Sequence, residues 1–155
     1  MERHERAGVR DGRLMLWLRL ARVYARVQQA TAMHLRDYDL TIAQFDVLAQ
    51  VGAHEGLTQQ ELAAALLVTQ GNVTQLLDRM QERGLLERRR TPGARGKRVY
   101  LTEAGWGLNR RAVPAQEALI RDLFDLDDDD AVVMYRLLRR IERGFDAGDD
   151  REVTT

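Results

Sequence analysis

The sequence predicts a mainly α-helical fold: a winged helix-turn-helix with a small β-hairpin wing, flanked by N- and C-terminal dimerisation helices. Three observations lead to this prediction. Two short amphipathic helical patterns follow one another within residues 57–83, two basic strand-like segments joined by Pro92-Gly93 come next, and long helices with apolar stripes lie on either side. A helix pair followed by a hairpin is the arrangement that places one helix in a groove of DNA.

Both helices of the pair have recognisable beginnings. Thr58 stands three residues before Glu61, which is the spacing of a capping box, and Thr69 is the expected N-cap of the second helix. Gly84 is expected just past the end of that second helix. Its apolar residues recur at i, i+3, i+4 and i+7 and predict a buried stripe of Val73, Leu76, Leu77 and Met80.

The opposite face of the second helix carries short hydroxyl and amide side chains. Such side chains donate and accept hydrogen bonds to base edges in the major groove, and glutamine and asparagine suit adenine in particular. We therefore expect this face to read DNA sequence. The predicted base-reading residues are Gln70, Asn72, Thr74 and Gln75.

The hairpin that follows is strongly basic. Arg79 on the helix, and Arg88 and Arg90 on the first strand, are expected to contact phosphates. Arg95 and Lys97 are expected to act from the wing, where an arginine can enter a narrow minor groove. The alternative is that these cations are simply solvated. The full set of predicted DNA-binding residues is Thr69, Gln70, Asn72, Thr74, Gln75, Arg79, Arg88, Arg90, Arg95 and Lys97.

Charge is distributed unevenly along the chain. The formal net charge is zero, which by itself argues against a nucleic-acid partner. Residues 58–102, however, contain eight Arg and Lys against four Asp and Glu, a local charge of +4. Residues 122–155 contain five basic against eleven acidic residues, a local charge of −6. A basic middle and an acidic end indicate a molecule with one DNA-facing side.

Three segments, LTIAQFDVLAQV, LTQQELAAALLVTQGNVTQLLDRMQERGLLERR and VYLTEAG, together resemble the MarR family of winged-helix transcriptional regulators. The resemblance spans nearly the whole chain, from about Leu14 to Phe145. Two positions depart from the family pattern: Gly93 stands where the wing usually has aspartate, although Arg95 is kept, and Gln75 stands where arginine is frequent. The resemblance implies a sequence-specific, DNA-binding repressor that a small ligand releases from its operator.

The expected organisation is a single domain over residues 1–155. Its expected parts are a DNA-binding lobe at 41–102, dimerisation helices at 13–37 and 103–146, and mobile ends at 1–12 and 147–155. The terminal helices are too apolar for a small domain on its own, so we expect a homodimer that reads a palindromic operator in double-stranded DNA. Asp127 is expected to cap the last helix, with Asp128 to Asp130 in its first turn, rather than to bind a metal.

MarR-type regulators commonly bind small aromatic or phenolic anions between the dimerisation helices and the DNA-binding lobe. The candidates for such a ligand here are Trp17, Arg22 and Tyr24 on the first helix and Asp46 on the second. The two aromatic rings offer stacking surface, and the arginine can hold a carboxylate. If Asp46 is buried it needs a partner, for which we expect an arginine of the first helix or the wing. The alternative for all four is core packing and surface charge.

The composition argues against catalysis and against a cofactor or metal site. His4, His34 and His54 are scattered, and cysteine and serine are absent, so thiolate ligands, disulfides, thiol-oxidation sensing and serine triads are excluded. A charged start and the lack of a long apolar run predict a cytoplasmic protein without membrane attachment. Two rivals remain: a winged-helix protein–protein interaction module without DNA binding, and an enzyme built on the dimer cavity.

Overall fold

The computed structural model describes residues 12–90 and 96–152, and residues 146–152 through their backbone alone. The elements in chain order are α1 (Gly12–Leu35), a 3₁₀ turn (Arg36–Tyr38), α2 (Ile42–Ala53), β1 (Leu57–Thr58), α3 (Gln59–Ala65), α4 (Gln70–Glu82), β2 (Leu86–Arg90), β3 (Lys97–Leu101), α5 (Glu103–Phe124) and α6 (Asp128–Glu152). The predicted fold class, helical with a small β wing, is confirmed. The chain divides into two compact units, Met1–Leu119 and Ile120–Thr155.

The sheet has three antiparallel strands in the order β1-β3-β2. The hairpin of β2 and β3 matches the prediction, and Val99 and Leu101 are buried on one face of β3. Strand β1 was not predicted, because two residues carry no periodic signal. It forms where Leu57 pairs with Val99 just before Thr58 begins α3.

Side-chain caps fix the beginnings of α3 and α4. The Thr58 hydroxyl accepts from the Glu61 backbone N–H, and the Glu61 carboxylate accepts from the Thr58 backbone N–H at 2.7 Å, which confirms the predicted capping box. That backbone donor, with the Thr58 hydroxyl, lowers the pKa of Glu61. Thr69 accepts from the Asn72 backbone N–H at 3.3 Å and so caps α4, also as predicted.

The core lies among the end of α1, α2, α3, α4, the sheet and the first half of α5. In α4, Val73, Leu77 and Met80 are fully buried and Leu76 packs partly against them, so the predicted stripe is confirmed. The largest fully buried side chains of the core are Leu35, Leu48, Leu62, Leu77, Met80 and Leu86.

A tight joint connects the end of α4 to the beginning of α5. Gly84 has a φ of +69°, so it ends α4 in the left-handed conformation predicted for it. The Thr102 hydroxyl donates to the Gly84 carbonyl at 2.6 Å, and the Thr102 backbone N–H donates to the Leu85 carbonyl at 3.1 Å. The same hydroxyl accepts from the Gly105 N–H at 3.1 Å, so one threonine begins α5 and anchors it to the end of α4.

The long helices outside the core leave large apolar side chains in water. On α1, Trp17 and Tyr24 are 60% and 64% exposed, and on α6, Ile141 and Phe145 are 47% and 75% exposed. Helix α6 continues to Glu152, six residues beyond the expected end at residue 146, and residues 1–11 and 153–155 lie outside the described part of the chain.

The N-terminus of α6 agrees with the cap that the sequence predicts. The Asp127 carboxylate accepts from the Asp130 backbone N–H at 2.8 Å, and Asp128 to Asp130 occupy the first turn. Among the described residues no three histidine or carboxylate side chains are grouped so that they can share a metal ion.

Candidate nucleic-acid interface

The outward face of α4 carries the side chains that were predicted to read bases. Gln70, Asn72, Gln75 and Arg79 are exposed, and no described part of the protein covers them. Thr69, which caps the helix, is exposed as well. This face presents amide and guanidinium groups at the N-terminal end of a capped helix, where hydrogen bonds to base edges and phosphates can form.

Thr74 differs from the other predicted base readers. Its hydroxyl donates to the Gln70 carbonyl at 2.9 Å and accepts from Gln59 Nε2 at 3.0 Å, and the side chain is partly buried. Because its hydrogen is already used within α4, Thr74 is better placed to orient Gln59 than to contact a base. Gln59, at the start of α3, gave no signal in the sequence, since the two residues are fifteen positions apart and meet only through the angle between the helices.

The two faces of the wing carry different kinds of cation. Cross-strand partners share a face of a sheet, and the register pairs Arg88 with Val99 and Arg90 with Lys97. These residues therefore lie on the face that also carries the buried pair Leu86 and Leu101. Farther from the core on that face, Arg90 and Lys97 are exposed, and neither makes an ion pair or hydrogen bond within the described residues.

The cations on the other face of the wing are used within the protein. Arg89 pairs with Glu87, which lowers the pKa of that carboxyl, and its guanidinium lies 5.2 Å from the centre of the Tyr100 ring. Arg98 donates to the Gly56 carbonyl at 2.6 Å. These contacts stabilise the sheet, so Arg90 and Lys97 are the described wing cations that remain available to phosphates.

Arg88 is not available as the sequence led us to expect. Its side chain is only 16% exposed; Nη2 donates to Asp78 Oδ1 at 2.5 Å, and Nε donates to Gln81 Oε1 at 2.9 Å. A guanidinium that is shielded and already paired within the protein would have to break both contacts to reach a phosphate. Arg95 and the turn at Pro92-Gly93 lie outside the described residues, so the predicted minor-groove contact of Arg95 stays a prediction.

The C-terminal end of α4 contacts the turn after α1 and the beginning of α2, in addition to Thr102. Arg83, its C-cap residue, pairs with Asp39 at 2.9 Å and donates to Gln44 Oε1 at 3.3 Å. Asp39 has a φ of +53° and closes the turn after α1, and Gln44 belongs to the capping box of α2. These contacts tie the end of α4 to the turn after α1 and to the beginning of α2.

The four predicted ligand residues are not brought together. Trp17, Arg22 and Tyr24 are exposed on α1, whereas Asp46 lines a cleft of about 340 Å³ beside α4, shared with Asn72, Gln75 and Arg79. None of the three α1 residues is among those that line this cleft. The three cleft neighbours are themselves candidate DNA contacts, so Asp46 borders the polar face of α4 rather than an α1 site.

The arginine partner expected for Asp46 is absent among the described ion pairs. The side chain is only partly buried, so the carboxylate keeps some contact with solvent. Partial burial still raises the pKa of Asp46, because the charged form is less well hydrated there.

Within the described residues no helix combines the length and the hydropathy that a bilayer crossing requires.

Comparisons with known proteins agree with this geometry. A sequence model of the MarR family matches residues 38–95. An uncharacterised HTH-type transcriptional regulator from Bacillus cereus is 35% identical over 131 residues, covering 83% of this chain and 88% of that protein. The HTH-type transcriptional regulator PecS from Dickeya dadantii is 27% identical, covering 80% of this chain and 78% of PecS.

Solved structures share the fold. A mutant MarR from E. coli complexed with operator DNA is 28% identical and matches with a TM-score of 0.73, covering 81% of this chain and 92% of that one. AbsC, a MarR family transcriptional regulator from Streptomyces coelicolor, matches with a TM-score of 0.80 over 86% of this chain and 94% of its own. At 22% identity, AbsC supports the fold alone.

Proposed function

Because this chain belongs to the MarR family of helix-turn-helix transcriptional regulators, we propose that it is a dimeric repressor that binds a palindromic operator in double-stranded DNA and is released by a small aromatic ligand. The observation that carries the proposal is the uncovered face of α4, where Gln70, Asn72, Gln75 and Arg79 stand exposed beside a basic wing. The E. coli relative complexed with operator DNA supports the same partner.

In this proposal the recognition helix and the wing have separate tasks. Asn72 and Gln75 read base edges in the major groove, and Arg79 contacts phosphate at the flank of the helix. Arg90 and Lys97 contact phosphates from the wing, and Arg95 enters the minor groove beyond them. An exposed polar and basic face also argues against the rival protein–protein module, which needs an apolar or acidic surface there.

The apolar side chains that a single chain leaves exposed support dimerisation. Exposed apolar surface on this scale, including Trp17 on α1 and Phe145 on α6, is typical of a subunit interface. A two-fold dimer presents two copies of α4 to half-sites about one helical turn apart. Sedimentation velocity at micromolar concentration is expected to give a dimer, and a stable monomer would contradict this part of the proposal.

The test of DNA binding uses fluorescence anisotropy with a duplex selected by the wild-type chain from a random-sequence pool. Gln75→Ala is expected to lower discrimination against a scrambled duplex by about 1–3 kcal/mol for each base pair that the side chain no longer reads. Arg90→Gln is expected to weaken binding to both duplexes and to reduce the salt slope by about 0.9 for each phosphate that the wing no longer neutralises.

Arg89→Gln is the matched control for Arg90→Gln. The two arginines are adjacent on β2 and exposed on opposite faces, and Arg89 is already paired with Glu87. The control is expected to keep the wild-type salt slope. Equal reductions of the slope in the two variants would mean that general charge, not the face of the wing, governs binding.

The ligand response rests on α1. Trp17 and Tyr24, seven residues apart, lie on one face of α1 and offer exposed aromatic surface, and Arg22 on another face of the same helix is an exposed cation for a carboxylate. Benzoate and 4-hydroxybenzoate are the probes: each is expected to release the selected duplex, and Arg22→Gln is expected to raise the concentration needed. Release that is equally sensitive in Arg22→Gln, or no release by either anion, would remove this residue from the proposed site.

A further inference from the structure

Asp78 is an acidic residue on the recognition helix itself. It is 48% exposed and lies on the flank of α4 that faces the wing. A carboxylate beside a DNA-reading surface repels phosphates, so its presence there is unfavourable for binding unless it has another use. The contact that it makes indicates what that use is.

Asp78 and Gln81 together hold one side chain of the wing. They lie one turn apart on α4, and both contact the guanidinium of Arg88, through Nη2 at 2.5 Å and through Nε at 2.9 Å. A guanidinium held by two acceptors is fixed in orientation as well as in position. Its exposure of 16% also keeps competing water away from most of the side chain.

The position of Arg88 on its strand lets this contact control the placement of the outer part of the wing. Arg88 is the middle residue of β2, it pairs with Val99 of the core, and Arg90 lies two residues farther out on the same face. Strand residues two apart lie about 6.6 Å from each other along the chain, close to the spacing of neighbouring phosphates. Because Arg90 and Lys97 are cross-strand partners beyond Arg88, a change in the strand angle at Arg88 displaces both of them together.

We infer that Asp78 is a positioning residue of the DNA interface: by holding Arg88 with the help of Gln81, it fixes the wing strand against the recognition helix so that Arg90 and Lys97 meet phosphates in register with base reading by α4. This inference rests on the proposed function and adds to it the coupling between the two reading elements. Arg88 is then a structural link rather than a phosphate contact.

The direction in which Asp78→Asn changes the DNA affinity distinguishes this role from that of an ordinary surface acid. If Asp78 acts only through its charge, Asp78→Asn removes a repulsion and DNA binding becomes tighter. If Asp78 positions the wing, the same substitution loosens Arg88, and binding to the selected duplex weakens although the protein has become more positive. Glu82 is the matched control, because it is an exposed acid one turn farther along α4 and makes no ion pair within the described residues.

The experiment measures anisotropy of the full-length chain on the selected and scrambled duplexes as a function of salt. For Asp78→Asn we expect about five- to tenfold weaker binding to the selected duplex, a salt slope smaller by about 1 to 2, and no weakening on the scrambled duplex. Glu82→Gln is expected to bind both duplexes at least as tightly as wild type. Asp78→Glu, which keeps the carboxylate, is expected to recover most of the affinity.

A double-mutant cycle with Arg88→Gln tests the coupling directly. Once Arg88 is replaced, Asp78→Asn is expected to weaken binding no further, because the ion pair is already broken. Thermal unfolding of each variant shows whether the fold persists. If Asp78→Asn is unfolded, the DNA binding of Asp78→Glu is compared with that of wild type instead. A reduced salt slope in Asp78→Glu would then count against the inference.

Two results overturn the inference while leaving the proposed function intact. One is Asp78→Asn binding the selected duplex as tightly as wild type, or more tightly, with an unchanged salt slope. The other is a further weakening of the same size in the Arg88→Gln background. If the wild-type chain itself fails to prefer the selected duplex, the proposed function fails instead, and that result is distinct from both.

Discussion

Replacing Gly105 by alanine is expected to open the joint between the end of α4 and the beginning of α5. A Cβ at this position would lie 1.9 Å from the Leu85 carbonyl oxygen, where ordinary van der Waals separation begins at 3.4 Å, so the two backbones must separate by about 1.5 Å. Both hydrogen bonds that Thr102 donates, to Gly84 at 2.6 Å and to Leu85 at 3.1 Å, cross this gap.

The expected magnitude follows from that geometry. Overpacking against a backbone atom costs about 1–3 kcal/mol, and breaking two hydrogen bonds costs about 1 kcal/mol each. The better helix propensity of alanine offsets about 1 kcal/mol of this. Gly105→Ala should therefore destabilise the protein by about 2–4 kcal/mol.

Urea unfolding followed by circular dichroism, at one fixed protein concentration because the chain is proposed to dimerise, measures this change. Gly107→Ala is the matched control: it lies in the same helix, and a Cβ there meets nothing within 4 Å. That control should be neutral or stabilising by up to about 1 kcal/mol. Equal stabilities for Gly105→Ala and Gly107→Ala would refute the close approach at Leu85.

Three further predictions concern the helix-turn-helix. The pKa of Glu61 is lowered, so its hydrogen bonds to Thr58 stabilise the fold fully above the ordinary glutamate pKa of about 4.3. This stabilisation is lost as the pH falls through the lowered pKa. The stability difference between wild type and Glu61→Gln, measured by thermal unfolding, should therefore shrink from pH 7 to pH 3. Leu67 is 89% exposed with a φ of +53°, so Leu67→Asn should raise stability by roughly 1 kcal/mol in urea unfolding, and a decrease would show that the leucine side chain packs against a partner subunit. Gln59→Ala removes the amide that the Thr74 hydroxyl orients and should alter the preferred operator sequence in a repeated selection, whereas an unchanged sequence would mean that this hydrogen bond has no part in recognition.

Local patterns were sufficient to predict the helices and the caps of α3 and α4. Thr58 and Thr69 begin α3 and α4, Gly84 ends α4, and Val73, Leu77 and Met80 are buried, because caps, left-handed residues and helical periodicity act over a few neighbouring positions. The same patterns supplied the family resemblance and the exposed face of α4.

The assignment of the polar side chains was less complete. An arginine in a basic hairpin has the same local sequence whether it faces solvent or a carboxylate, so Arg88 was expected at a phosphate and instead contacts Asp78 and Gln81. Thr74 was expected at a base and instead accepts a bond from Gln59. Strand β1 was missed because its pairing with β3 is made across more than forty residues.

The sequence by itself determined which segments form the helices and the two hairpin strands, where α3 and α4 begin, and which face of α4 is polar, because each depends on residues that are close together in the chain. Only the tertiary structure decided which cations are free. Arg88, Arg89 and Arg98 are already bonded within the protein, while Arg90 and Lys97 are not bonded to any described residue, and that distinction depends on the angle at which the wing meets α4. The angle is a property of packing between distant elements, and no short stretch of sequence contains it.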